Sequence, residues 1–199
     1  MCSRYEVLTD LESIVAGEAV RVPPTDEQLR TFAPGEIRPT NLAPVILPGG
    51  MLAIMPWGLH VDWQSQPVIN ARAETLERKP TFNPLLSQRC VVPMSAYFEW
   101  RKAGPAKIKT RIHLAPDDHF ACAGLVGDGR FTIITCAPAA AIAHIHDRMP
   151  VILDRSAQQT WLNINRSYAD VKDVLEPYAG KLVFEEIAPP PHRQGELAL

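Results

Sequence analysis

Residue 2 of the 199-residue chain is a cysteine that directly follows Met1. If Met1 is removed, Cys2 becomes the N-terminus and carries a free α-amine beside its thiol. No other residue type presents that 1,2-aminothiol pair. The amine can condense with an aldehyde to a Schiff base, and the thiol can close onto the same carbon to give a five-membered thiazolidine ring. The opening Met1-Cys2-Ser3-Arg4-Tyr5 therefore raises the question of whether the remaining chain builds an aldehyde pocket around residue 2.

Three further stretches are too polar for their apolar surroundings: Asn70-Ala71-Arg72-Ala73-Glu74, Phe98-Glu99-Trp100 and Ile145-His146-Asp147-Arg148-Met149-Pro150. On a strand, Tyr97 and Glu99 share one face, and Phe98 and Trp100 the other. Glu99 is then either an exposed strand carboxylate or a partly buried one with a raised pKa, able to move protons. His146 is either a general acid/base or a structural histidine held by Asp147 or the backbone. Asn70 and Arg72 share a face of an extended chain, where Asn can orient an amine or a sugar hydroxyl and Arg can hold a phosphate. The bland alternative is a turn Asn and a surface Arg. Arg148 beside Asp147 is equally readable as a structural ion pair.

Trp57 suits core or lid packing, whereas Trp63, between Asp62 and Gln64, is as well placed to stack on a base. The histidines show no metal-ligand spacing. His144 and His146 stand two apart without an evident third ligand, so no metal and no cofactor is expected.

Bulk properties narrow the class. A formal net charge of -2 excludes a strongly basic nucleic-acid binder but not a local basic groove. Cys90, Cys122 and Cys136 lie in apolar, strand-like contexts and read as buried free thiols. Residues 1–20 carry Arg4, Glu6, Asp10, Glu12 and Glu18 and lack an apolar signal core, and no run is long enough to span a membrane. A cytoplasmic, reduced protein is expected, which suits a functional N-terminal thiol. It is read as a monomer that touches no membrane.

The elements that must position these residues are short. Nineteen prolines spread along the chain favour brief strands and fixed turns. Thr25 and Gln28 form a capping box for a helix with Leu29 and Phe32 on its apolar side. Residues 34–44 read as loop. Val45-Ile46-Leu47 and Met51-Leu52-Ala53-Ile54 flank Pro48-Gly49-Gly50 as a hairpin. A polar loop follows through Trp63 to Pro67, and a short helix is expected over 83–88.

Strands are expected over 90–93, 96–100, 108–114, 120–126, 131–135 and 151–153. Ser156 with Gln159, then Ser167 with Asp170, cap two helices, the second carrying Val171, Val174, Leu175 and Tyr178 on one face and stopped by Gly180. A last strand runs over 182–187. The expected fold is α+β, a single domain over 1–188 with a curled, largely antiparallel, barrel-like β core flanked by short helices, followed by a tail at 189–199.

Taken together, Met1-Cys2-Ser3-Arg4-Tyr5, Asn41-Leu42-Ala43-Pro44, Trp57-Gly58, Ile69 to Thr75, Phe98-Glu99-Trp100 and Ile145 to Pro150 resemble, in order and approximate spacing, the motifs of the SOS-response-associated peptidase (SRAP) family. The resemblance implies covalent capture of abasic sites in single-stranded DNA during the damage response. Cys2 would form a thiazolidine with the ring-opened deoxyribose aldehyde. Glu99 and His146 would move protons, and Asn70 would position Cys2 or the sugar. Arg4, Arg72 and Arg148 would hold phosphates, and Asn41 and Trp63 would contact the strand. A thiol peptidase with Cys2 as nucleophile, and a single-stranded DNA-binding module without chemistry, stay open as alternatives. Two departures stand out. Ser3 replaces the family's usual Gly, and its Cβ restricts the backbone beside Cys2. Ile187-Ala188-Pro189-Pro190-Pro191 stands in place of the family's C-terminal Val-Asn segment.

Overall fold

The computed structural model describes residues 2–17, 20–22, 24–115 and 119–187, so Met1 and the expected tail at 189–199 lie outside the described residues. The chain begins with β1 (Arg4–Val7), α1 (Leu11–Gly17) and α2 (Asp26–Thr31). Seven short elements follow: β2 (Gly35–Ile37), β3 (Leu42–Leu47), β4 (Met51–Pro56), β5 (Leu59–Val61), β6 (Gln64–Val68), β7 (Asn70–Arg72) and a 3-10 turn at Ala73–Arg78. The central run is β8 (Arg89–Met94), β9 (Ala96–Ala103), β10 (Ala106–Leu114), β11 (Phe120–Gly127) and β12 (Arg130–Cys136). After β13 (Met149–Pro150) and β14 (Ile152–Leu153) come α3 (Arg155–Trp161), α4 (Tyr168–Val171) and β15 (Leu182–Ile187). No helix among the described residues is long and apolar enough to cross a membrane.

Two curled sheets enclose the core. One has the order β15-β10-β9-β1-β2; the other has β13-β12-β11-β8-β3-β4, with β14 on β11 and β7 on β12. The pairing is antiparallel except for β7 on β12. Each sheet keeps open edges, so the α+β core is barrel-like without being a closed barrel. One apolar cluster joins the sheets, with Tyr5, Tyr97 and Ile112 from the first and Val91, Leu125 and Ile133 from the second. Trp57 fills its middle. It is fully buried, donates its indole N–H to the Ile69 carbonyl at 2.9 Å and meets Tyr5 edge-on at 5.0 Å.

Local sequence explains the pieces that hold the site. In β1, Tyr5 and Val7 are buried while Arg4 and Glu6 are half-exposed, the alternation of a strand with one dry face. The β3–β4 hairpin turns on Gly49 and Gly50, both at positive φ (82° and 76°), a conformation that only a residue without Cβ adopts freely. The chain crosses from the large sheet to the small one at Ser95, between β8 and β9. Ser95 secures the crossing to β1: its N–H donates to the Glu6 carbonyl at 2.8 Å, and its hydroxyl accepts from the Leu8 N–H at 2.9 Å. β9 is thereby delivered alongside β1, with Arg4 opposite Phe98.

Several local expectations change. The stretch 34–44 is not all loop, because Gly35–Ile37 pairs with β1 as an edge strand and β3 already begins at Leu42. The polar stretch 58–67 is a two-stranded hairpin, β5 with β6, that carries Trp63 in its turn. Over 83–88 there is one 3-10 turn, Asn83–Leu85. α3 is capped by Asp154 rather than Ser156, the Asp154 carboxylate accepting from Ala157 N–H at 2.8 Å. The Ser167–Asp170 capping box forms, but α4 ends at Val171 and continues as a 3-10 turn to Val174. The capping box of α2, the β3–β4 hairpin and the buried thiols of Cys90, Cys122 and Cys136 stand as expected.

Candidate active site around Cys2

Cys2 lies two residues before the start of β1 and is 1% exposed. Its thiol donates to the Arg4 carbonyl at 3.3 Å. Asn70 opens β7, whose pairing with β12 carries it across the core to the N-terminal segment. There its amide nitrogen donates to the Cys2 carbonyl at 2.7 Å. A carbonyl can only accept, so the amide is fixed with nitrogen toward Cys2. Its Oδ1 is then left buried and without a hydrogen-bond partner among the described residues.

Glu99 comes from β9. The alternation places it on the inner face with Tyr97, while Phe98 stands opposite Arg4 on the outer face. Glu99 is 2% exposed, which settles its two sequence readings in favour of the buried carboxylate. Burial, reinforced by the charge of Asp147, pushes its pKa up to about 7. Burial and the neighbouring Glu99 charge together push the Cys2 thiol well above its ordinary range.

His146 sits in the segment after a 3-10 turn (Ala140–Ile142) and just before β13, and its Nε2 lies 3.7 Å from Glu99 Oε2. Its Nδ1 receives the Arg148 backbone N–H at 3.0 Å and also lies 2.9 Å from the Asp147 carboxylate. Both cannot be satisfied by one protonation state. The backbone N–H is an obligate donor, and Asp147 is 83% exposed and can turn to water. The neutral ring therefore accepts at Nδ1 and carries its proton on Nε2, toward Glu99. Desolvation also lowers the His146 pKa and favours that neutral ring.

Glu99 and His146 line an open cavity of about 800 Å³, together with Ser3, Arg4 and Trp100. Cys2 is not itself part of the lining; it lies behind Ser3. The structure thus brings Cys2, Asn70, Glu99, His146 and Arg4 into one region. Arg4 is already engaged with Glu36 of β2 at 2.6 Å, and Glu36 is further surrounded by Lys109 and Arg38. These pairs hold the Glu36 pKa down against the opposing effect of its burial.

The other nominated residues stand off the cavity. Arg148 is committed inward: it grips Glu74 through two bonds of 2.7 and 2.9 Å and donates to the Thr135 carbonyl at 2.6 Å. Asn41 accepts from Arg38 N–H at 2.9 Å through its side chain and so shapes a turn. Arg72 is exposed at the end of β7, and Trp63 is 67% exposed. Sequence reasoning passed over the cavity residues Lys102 and Lys107, whose signal was two lysines flanking the Gly104-Pro105 turn, and weighed His144 only as a metal ligand. Among the described residues no group of three or more His, Cys, Asp or Glu is placed to hold a metal ion.

A two-sheet α+β domain with a buried penultimate cysteine, anchored by an Asn and adjoining a Glu–His pair, defines a specific class. The model of the SOS response associated peptidase (SRAP) family matches residues 1–189, and the chain belongs to this family. Among its relatives is the abasic site processing protein YoqW of Bacillus subtilis, 35% identical over 89% of this chain and 88% of its own. The abasic site processing protein YedK of Escherichia coli is 30% identical over 59% of this chain and 58% of its own. A crystal structure of a protein from Bacteroides thetaiotaomicron superposes with a TM-score of 0.81 at 26% identity, covering 94% of this chain and 92% of that one.

Proposed function

We propose that the protein captures abasic sites in single-stranded DNA as a covalent thiazolidine on Cys2, as part of a response to DNA damage. The observation that carries the proposal is the Cys2 backbone held by Asn70 next to a buried carboxylate poised near neutrality and a histidine that faces it. The names of the relatives, abasic site processing proteins, support the same substrate.

Removal of Met1 frees the Cys2 amine, and the unpartnered Asn70 Oδ1 is an acceptor for one of its protons. Protonated Glu99 gives its proton to the ring oxygen of the sugar hemiacetal while its other carboxyl oxygen takes the C1 hydroxyl proton, so the C1–O bond breaks and the aldehyde is exposed; the neutral His146 Nε2–H steadies the departing oxygen by a hydrogen bond. The amine lone pair adds to the aldehyde carbon. Protonated Glu99 then delivers a proton to the carbinolamine hydroxyl, which leaves as water, and the resulting carboxylate takes the N–H proton to give the imine. The sulfur of Cys2 adds to the imine carbon and its proton passes to nitrogen, closing the ring. The net change is the loss of one water.

A group with a pKa near 7 suits this cycle because it is present in both protonation states at working pH. The burial that keeps the thiol protonated argues against Cys2 as a peptidase nucleophile, which needs the thiolate.

The test is a denaturing gel with Met1-free protein and a single-stranded oligonucleotide carrying one abasic site. A heat-stable adduct is expected for wild type and none for Cys2→Ala. Cys2→Ser should give at most a labile adduct, because its hydroxyl closes a poorer ring. A wild-type protein that binds the strand but forms no adduct would falsify the covalent reading.

A further inference from the structure

The β9–β10 hairpin projects beside the cavity and carries Lys102 and Lys107, which both line it. The register places Lys107 directly opposite Lys102, so the two side chains leave the hairpin on the same face. Like charges in that position oppose each other, and a hairpin selected for stability alone would place an acid on one of the two strands. Every other Lys or Arg of this sheet has a carboxylate. Arg4 and Lys109 share Glu36, Arg101 holds Glu186, and Arg111 holds Glu6 and Glu185. Lys102 and Lys107 have no ion-pair partner among the described residues, and both are exposed. Trp100, two residues before Lys102 on the same face, also lines the cavity.

We infer that Lys102 and Lys107 form a phosphate clamp that holds the DNA backbone at the outer wall of the cavity, displaced from the abasic sugar. A phosphate between two opposed ammonium groups turns their mutual repulsion into a bridged attraction. The paired positive charge therefore selects a polyanion over a neutral ligand. The clamp also supplies a reason for the cavity's size, since a single sugar would not need about 800 Å³. This inference rests on single-stranded DNA being the substrate.

The experiment compares Lys102→Gln/Lys107→Gln with wild type and with Lys172→Gln/Lys181→Gln, which removes the same charge far from the hairpin. Binding of an undamaged single-stranded oligonucleotide is followed by fluorescence anisotropy across a salt series. Loss of two phosphate contacts should flatten the slope of log K against log salt by about 1.4. The distant double variant should keep the wild-type slope, and Lys102→Arg/Lys107→Arg should restore it. Unchanged melting temperatures show that each variant is folded. An unchanged slope in Lys102→Gln/Lys107→Gln, with wild-type adduct formation intact, overturns the clamp alone. Failure of the wild-type protein to bind the strand overturns the clamp and the proposed function together.

Discussion

Asn70 shows how much a single side chain can decide. Its amide nitrogen fixes the Cys2 carbonyl, and its oxygen waits, buried and unpartnered, on the same side of the core. Both halves of the amide have work only if a donor arrives from Cys2. Asn70→Asp therefore does more than remove a bond, since it sets a carboxylate oxygen against the carbonyl that the nitrogen used to bind. Asn70→Ala and Asn70→Asp should each slow adduct formation by roughly 100-fold, the scale of a misplaced reactive group, while strand affinity changes little. Single-turnover gels beside anisotropy separate the two quantities, and a matching loss of affinity would make Asn70 a strand ligand instead. Glu99 gives the companion prediction. With its pKa at about 7, the wild-type rate should bend near neutral pH, and Glu99→Gln should lose that bend. A bend that persists in Glu99→Gln would move the titration to another group.

Between elements, the site depends on clamps that span long stretches of chain. The Arg148–Glu74 pair ties the segment after His146 to the 3-10 turn after β7, and so links the two polar stretches that carry His146 and Asn70. Arg148 is mostly buried while Glu74 is half exposed. Glu74→Ala leaves the guanidinium with only the Thr135 contacts, which should cost about 1–2 kcal/mol in denaturant unfolding. Adduct formation should fall further than that loss explains, because His146 is loosened; an unchanged rate would show that the segment holds itself.

The distances these clamps bridge explain what was legible beforehand. Alternation along 96–100 identified the face that Glu99 shares with Tyr97, but its burial depends on packing against elements distant in sequence. The polar motifs pointed to Cys2, Asn70, Glu99 and His146, whereas the Glu74 partner of Arg148 follows from the β7–β12 pairing, which no local pattern records. The strands at 35–37 and 59–68 escaped notice because they are short, polar and at sheet edges, where the apolar alternation of a half-buried strand is missing.

At the scale of the whole molecule, an ionisable group sits where two sheets close on each other. Glu99 belongs to the small sheet, and Asn70, which shares its site, belongs to the large one. A carboxylate there works against the fold whenever it is charged. The direction of that effect is fixed. The folded-state pKa, about 7, lies above the ordinary Glu value, so the native state binds more protons than the unfolded chain between roughly pH 4.5 and 7. The stability associated with neutral Glu99 is complete below that window and is lost as pH rises through about 7. His146 acts oppositely: its lowered pKa makes stability rise with pH up to about 6.5, so the two partly offset each other there.

Glu99→Gln keeps the shape and removes the charge. It should melt with wild type near pH 4 and exceed it above pH 8, by up to roughly 3 kcal/mol for a shift of this size. Thermal unfolding of both proteins across that range measures the difference directly. A constant gap at every pH would mean that Glu99 is not the titrating group. A gap that opens with pH would identify the carboxylate proposed to move protons for Cys2 as a standing cost to the fold, the cost expected of a site that must exist in two protonation states to serve the proposed reaction.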